Sequence, residues 1–276
     1  MRYFFTPPYI IEKYNLNETE EQSCHQIHHL YSFLKKGSPE VSVVIPAFNE
    51  EQNILKTLYT LVNNQCSYNV EIIVVNNNSI DRTKELVIKT GVICILEKIP
   101  GITAARNAGL NVAKGKYILN ADADTIYPIN WIEEMVRPMA ENTDVALVYG
   151  NFSFIPTAGT PRWVYFFYEY LADLLRWYNR TFNEEAVNVY GFNSGFKRDQ
   201  GIAVNGFEHP LGTNEDGWLA VKLRENKFGN LYHVKNIKAL VWTADRRIQM
   251  DGGLLKGIIK RMKRFMGLST EPRTDL

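Results

Sequence analysis

Three short polar clusters each follow an apolar run: Pro46-Ala-Phe-Asn-Glu-Glu51, Asn76-Asn-Asn-Ser79 and Asp122-Ala-Asp124. The last is chemically the most pointed. Two carboxylates with one residue between them can address the same hard divalent cation from a bend. Each cluster taken singly also reads as turn residues and helix caps, since Asn and Ser serve both. That plainer reading explains less well why a pair of acids should follow a buried strand. Cys24, His25, His28 and His29 also fall at spacings a metal tolerates, although on a helix such residues are more often surface or packing groups.

The elements that must position these clusters are legible as alternating runs. Residues 41–45, 71–75, 92–96 and 117–119 are apolar but for Ser42 and Glu71, and mostly β-branched, as expected of strands buried on both faces. Between them, 51–62, 81–90 and 103–114 have helical character, so the chain predicts an α/β layer with a mostly parallel central sheet flanked by helices. In such sheets ligands bind beyond the carboxyl ends of the strands, where all three clusters fall, which makes them one composite pocket. Residues 1–40 read as an N-terminal helical extension, with a helix over 18–36 capped by Asn17 and Glu20 and stopped by Lys35-Lys-Gly37. Further helices are expected over 161–182 and 216–225, with a loop-rich stretch over 188–216 between them. A basic amphipathic helix is expected over 252–267.

Composition excludes several classes. A formal net charge of +1 over 276 residues gives nucleic acid no electrostatic footprint. Three scattered cysteines make no disulfide framework and fit a reducing compartment. No apolar run reaches spanning length, and the N-terminus lacks the pattern of a signal peptide. The expected location is the cytoplasm, with the inner face of a membrane as the surface a basic amphipathic helix would suit.

Asp122-Ala-Asp124 resembles the DXD motif of nucleotide-sugar glycosyltransferases, in which a divalent ion neutralises the charge that builds on the departing nucleoside diphosphate. The motif does not stand alone. Val43 to Glu51, Val74 to Thr83, Gly101-Ile-Thr-Ala-Ala-Arg-Asn-Ala-Gly109, Ala121 to Asp124, Gly191 to Arg198, Asn205-Gly-Phe207 and Asn214 to Leu219 follow in an order similar to that of glycosyltransferase family 2. The resemblance covers about 40–247. It implies a GT-A fold over 41–250, with a nucleotide-binding half at 41–125 and an acceptor-binding half at 126–250, and inversion at the anomeric carbon. It further implies that Pro46, Ala47, Phe48, Asn49 and Glu50 line the nucleotide, that Asn77 faces the base, and that Arg106 lies near the base or diphosphate. Asp122 approaches ribose and metal, Asp124 is the principal ligand to Mg²⁺ or Mn²⁺, and Asp216 is the catalytic base. Glu215, Asn193 and Trp218, from the same motifs, stand on the acceptor side. Without that context Asp216 is equally a helix N-cap.

Two departures from the family pattern stand out. Asn76 and Asn77 replace frequent acids, and an amide both donates and accepts. Thr243 stands where the family often has a metal-binding His. Arg246 and Arg247 can offset that loss by clamping diphosphate oxygens, the plainer reading being a solvated surface pair. The implied activity is sugar transfer from a nucleotide-diphosphate sugar to a glycan or lipid-linked acceptor. Two rivals are a noncatalytic nucleotide-sugar-binding scaffold and a sugar nucleotidyltransferase; the latter calls for a Gly-rich basic loop where this chain has 46–51. The aromatics of 161–182 suit a core or subunit contact, or else an acceptor sugar or lipid carrier. The basic helix over 252–267, within the tail 251–276, suits either peripheral membrane contact or ordinary packing.

Overall fold

The computed structural model describes residues 2–16, 18–157, 159–250 and 253. Asn17 and the basic segment 252–267, Gly253 apart, lie outside the described residues, so the helix expected there is not addressed. Two helices come first, α1 (Pro8–Tyr14) and α2 (Glu20–Leu34). Then β1 (Val41–Ala47), α3 (Ile54–Val62), β2 (Val70–Asn76), α4 (Thr83–Lys89), β3 (Ile93–Leu96), α5 (Ile102–Val112) and β4 (Tyr117–Asn120) alternate. There follow β5 (Thr125–Ile126), α6 (Trp131–Glu141), β6 (Val145–Gly150), β7 (Phe152–Ile155), α7 (Arg162–Phe182), β8 (Ser194–Lys197) and α8 (Arg198–Ala203). Last come α9 (Glu215–Glu225), β9 (Asn230–Val234), β10 (Val241–Ala244) and α10 (Arg246–Met250).

The central sheet has the order β3-β2-β1-β4-β8-β6-β9. Its pairings are parallel except those of β8, which runs antiparallel to both β4 and β6. The continuous apolar runs have a direct cause. Val43, Ile45, Ile72 and Val74 face one core cluster while Val44, Ile73 and Val75 face the other, so successive residues of β1 and β2 are buried on opposite sides. Gly109 lets α5 lie close on the second face, because a Cβ there would overlap Val44. The strand β8 falls in the stretch 188–216 read as loop. Its sequence, Ser-Gly-Phe-Lys, is too polar for the apolar-run criterion, and Gly195 sits where a side chain would overlap Leu119 of β4.

The first 40 residues are packed into the fold more closely than an appended segment would be. Ile27, Tyr31 and Leu34 of α2 join the first core cluster. Ile10 of α1 is fully buried with Ile126, Ile155, Leu240 and Trp242, beside the small sheet β5-β10-β7. The Arg2 guanidinium reaches Asp173 of α7 at 2.7 Å. The N-cap of α2 is Thr19, two residues later than expected. Its hydroxyl accepts from Gln22 N at 3.3 Å, and the Gln22 side chain accepts from Thr19 N at 3.0 Å. Thr19 and Gln22 thus close a reciprocal capping box.

Candidate active site

Strand β1 lies between β2 and β4 and parallel to both, so its carboxyl end and that of β4 face a common crevice where the strand order reverses. Into it run the loop 46–50 and the turn 121–124. Asn49 has φ of 55°, a left-handed backbone that Asn tolerates better than most residues. Its side-chain Oδ1 accepts from Ile80 N at 2.9 Å, and its backbone N–H donates to Ser79 Oγ at 3.0 Å. Glu50 N and Glu51 N donate to Thr83 Oγ1 and Asp81 Oδ2. The polar cluster after β2 therefore pins the loop after β1, and Phe48 is left at its lip, 57% exposed. Pro46 is half-buried and Ala47 buried, so Ala47 can meet a ligand only through its backbone.

The Glu50 carboxylate is held by Asn53 Nδ2 at 2.7 Å and by the Arg246 guanidinium at 2.7 Å. Arg246 also reaches Asp124 Oδ2, 122 residues before it, at 3.2 Å, and so joins the first polar cluster to the acidic turn. The entry to α10 is fixed by Asp245, which is fully buried and accepts from Tyr165 Oη at 2.6 Å and Gln249 Nε2 at 2.8 Å. Asp245 is a positioning residue that the sequence reading passed over. The side chain of Arg247 lies outside what the structure describes. Thr243, where the resemblance places a histidine, pairs in register with Thr125, one residue beyond Asp124.

Arg106 is the centre of the site. It is 2% exposed, donates to Asp122 Oδ1 at 3.1 Å, and lies 3.5 Å from Asp216 Oδ1 and 3.9 Å from Glu215 Oε1. The Phe207 ring lies 5.8 Å from its guanidinium carbon. Buried beneath the acids in this way, it cross-braces the DXD turn to the Glu215-Asp216 pair. Gly191 makes this approach feasible, since a Cβ there would overlap both the Arg106 guanidinium and the Asp216 carboxylate. Burial pushes the Asp216 carboxyl well above the ordinary carboxylate range; Arg106 pulls it back, while Glu215 and Asp122 add to the rise. Asp216 Oδ1 makes no hydrogen bond, and neither does Arg106 Nε, 3.5 Å from it. The N-cap of α9 is Asn214, whose side chain accepts from Gly217 N at 2.8 Å, so Asp216 is not spent on capping.

Two expected contacts fall elsewhere. Asn193 is 1% exposed and uses its amide internally: Oδ1 accepts from Trp131 Nε1 at 2.8 Å, and Nδ2 donates to Asn151 O and Ala239 O. It supports the turn at 191–193 and cannot reach an acceptor. Asn77 is likewise drawn inward. Its Nδ2 donates to Glu97 O and Ile99 O, and its Oδ1 accepts from Gly101 N, so it shapes the loop 97–101. Trp218 is half-buried on α9. Tyr127 does structural work at the DXD turn: its Oη accepts from Asp122 N at 2.9 Å and donates to Phe192 O at 3.0 Å. A lone tyrosine in the apolar return after Asp124 was the available signal for it.

The donor set suits a hard cation. Asp122 and Asp124 offer carboxylate oxygens that stay 25% and 18% exposed, and the guanidinium on Asp124 shows that this position accepts positive charge. Among the described residues no group of three His, Cys, Asp or Glu side chains is placed to hold a metal. Such an ion would therefore take most of its ligands from substrate and water.

Residues 42–200 match the family description Glycosyl transferase family 2. The chain belongs to glycosyl transferase family 2. Among curated family relatives, Glycosyltransferase AglE of Haloferax volcanii is 35% identical over 130 residues, 44% of this chain and 42% of that protein. The UDP-Glc:alpha-D-GlcNAc-diphosphoundecaprenol beta-1,3-glucosyltransferase WfgD of Escherichia coli is 31% identical over 119 residues, 42% of this chain and 46% of that one. The aligned region thus spans less than half the length of these relatives. Among solved structures, the mannosyltransferase PcManGT of Pyrobaculum calidifontis, in complex with GDP-Man and Mn²⁺, superposes with a TM-score of 0.57 at 18% identity, covering 89% of this chain and 76% of that one. Glucosyl-3-phosphoglycerate synthase of Mycobacterium tuberculosis, with Mn²⁺, UDP-Glc and glycerol 3-phosphate, gives 0.54 at 18% identity, covering 87% and 84%. The α/β architecture with its mostly parallel sheet is the GT-A fold of these glycosyltransferases.

Proposed function

We propose that this chain is an inverting glycosyltransferase that moves a sugar from a nucleotide-diphosphate sugar to a hydroxyl of a glycan or lipid-linked acceptor. The observation that carries this reading is the Arg106 brace, which holds the DXD carboxylate of Asp122 at 3.1 Å and the unpaired carboxylate oxygen of Asp216 at 3.5 Å. Donor-side and acceptor-side chemistry are thereby fixed against one rigid, buried group.

The loop 46–50, with Phe48 exposed at its edge, receives the nucleoside. Asp124, with Asp122, holds Mg²⁺ or Mn²⁺, which supplies charge neutralisation for the diphosphate when bound. Arg246, already placed against Glu50 and Asp124, turns its guanidinium to diphosphate oxygens as the leaving group forms. Asp216 accepts the acceptor's hydroxyl proton while that oxygen bonds to the anomeric carbon and the bond to the diphosphate breaks. Burial pushes the pKa of Asp216 up to about 8, so its ionised, basic form grows as pH rises towards that value. Neighbours of the same fold bound to GDP-Man or UDP-Glc with Mn²⁺ support the donor class.

The test is thermal stabilisation by a panel of nucleoside diphosphates and nucleotide sugars with Mn²⁺, Mg²⁺ or chelator, since a ligand that binds only the folded state raises the melting temperature. The expected result is a metal-dependent shift with one nucleotide. A folded chain that shifts with none of them, at millimolar ligand, removes the donor site and favours the scaffold reading.

A further inference from the structure

Two hydroxyls of α3 reach out of their helix to the turn that carries the DXD acids. Thr57 is fully buried, and its Oγ1 donates to Ala123 O at 2.8 Å and to Thr125 O at 3.0 Å, the carbonyls of the two residues that flank Asp124. A threonine inside a helix ordinarily turns its hydroxyl back to a carbonyl three or four residues earlier on its own helix. Thr60, one turn further on and also buried, does that and more. Its Oγ1 donates to Thr57 O at 2.9 Å and accepts from Tyr127 N at 3.2 Å. Alternate residues 123, 125 and 127 are thus held by side chains on one face of one helix.

The same helix is tied to the other wall of the site. Asn53 N and Ile54 N donate to Glu50 O at 3.0 and 2.8 Å, and Asn53 Nδ2 donates to the Glu50 carboxylate at 2.7 Å. Helix α3 therefore sets the loop 46–50 and the turn 121–124 against each other.

We propose that Thr57 is a positioning residue for the metal: its buried hydroxyl fixes the backbone on either side of Asp124, so that this carboxylate is held in place for a divalent cation. The proposal deepens the transferase reading and rests on its assignment of Asp124 as the metal ligand. Arg246 also touches Asp124, at 3.2 Å, but it is 44% exposed, and that reading has it turn to the diphosphate. The grip of Thr57 lies in the core and survives such a movement. A β-branched side chain has few rotamers in a helix, so the direction of the hydroxyl is set by α3 rather than by the turn. A ligand carboxylate ordered in advance spares the ion the entropy of ordering it. Removing a group that orients a metal ligand costs about ten- to a hundredfold in affinity.

The test is the Mn²⁺ concentration that gives half of the nucleotide-induced rise in melting temperature, titrated on the full chain at fixed nucleoside diphosphate, with GDP, UDP, ADP, CDP and dTDP in turn. Thr57→Val keeps the shape of the side chain without the hydroxyl, and Thr57→Ser keeps the hydroxyl without the methyl. The expected result is that Thr57→Val needs about tenfold more Mn²⁺ or beyond, while Thr57→Ser stays close to the parent. Thr57→Ala against Thr57→Ser repeats the comparison in a smaller side chain and decides the matter where Thr57→Val does not fold. Two results overturn the proposal while leaving the metal reading intact. One is a Mn²⁺ requirement that losing the hydroxyl leaves unchanged. The other is Thr57→Ser weakened as much as Thr57→Val, which assigns Thr57 to packing. A parent chain with no Mn²⁺-dependent shift for any of the nucleotides removes the metal site itself, and the proposal with it.

Discussion

Replacing Arg106 by Met removes a guanidinium that lies within 4 Å of three acids while keeping much of the side-chain volume. The guanidinium is 2% exposed and lies 3.1, 3.5 and 3.9 Å from Asp122, Asp216 and Glu215. Breaking a buried pair from one side costs about 3–5 kcal/mol, because the surviving charges stay desolvated. For a domain of this size each kcal/mol moves the melting temperature by about 2–4 °C, so the expected drop is about 6–20 °C. The pH dependence follows from linkage. The Asp216 carboxyl is pushed up by burial, so over the window above the ordinary carboxylate value the folded chain holds a proton that the unfolded chain has released. Stability therefore falls as pH rises through that window. Without Arg106 the carboxyl rises further, so the deficit of the variant is largest at about pH 8.5 and shrinks towards about pH 5.5. Scanning calorimetry of both proteins at those two pH values measures it. A variant within about 2 °C of the parent at high pH, or a deficit that grows as pH falls, would refute the brace. Arg106→Lys should recover only part of the loss, since an ammonium cannot fork across three carboxylates.

Asp216→Asn should lower sugar transfer by about a hundred- to ten-thousand-fold while keeping the metal-dependent donor shift in melting temperature; transfer at full rate removes Asp216 as the base. Asp124→Ala should abolish the metal dependence of that shift, and a shift that still needs Mn²⁺ would place the ion elsewhere. Asn193→Ala leaves Trp131 Nε1 without its acceptor and takes one donor each from Asn151 O and Ala239 O. It should lower stability by about 1–3 kcal/mol in denaturant titration, with acceptor KM unchanged. A raised KM at unchanged stability would return Asn193 to the acceptor site.

The strand–helix alternation from β1 to β4 was legible because both faces of those strands are buried, which leaves apolar runs that need no partner to be recognised. The motif residues at the strand ends were legible for a related reason: loop chemistry at 46–50 and 121–124 is local, written in residue types that bend and bind. Strand β8 was not legible, because its antiparallel place beside β4 depends on Gly195 fitting against Leu119. Nor were the cap at Thr19 or the burial of Arg2 and Ile10. The same holds for roles. A sequence shows that Asp122, Asp124 and Asp216 are acids; it does not show that Arg106 is buried among them, or that Arg246 spans from Glu50 to Asp124. Amphipathic pattern predicted α7 but not which face it buries, because Glu169 turns inward only when Arg2 arrives from a distant part of the chain to join Arg162 of the same helix. Local backbone preference and apolar periodicity determined the elements. Contacts between residues far apart in sequence decided which polar groups were paired, which were left open, and therefore which can act.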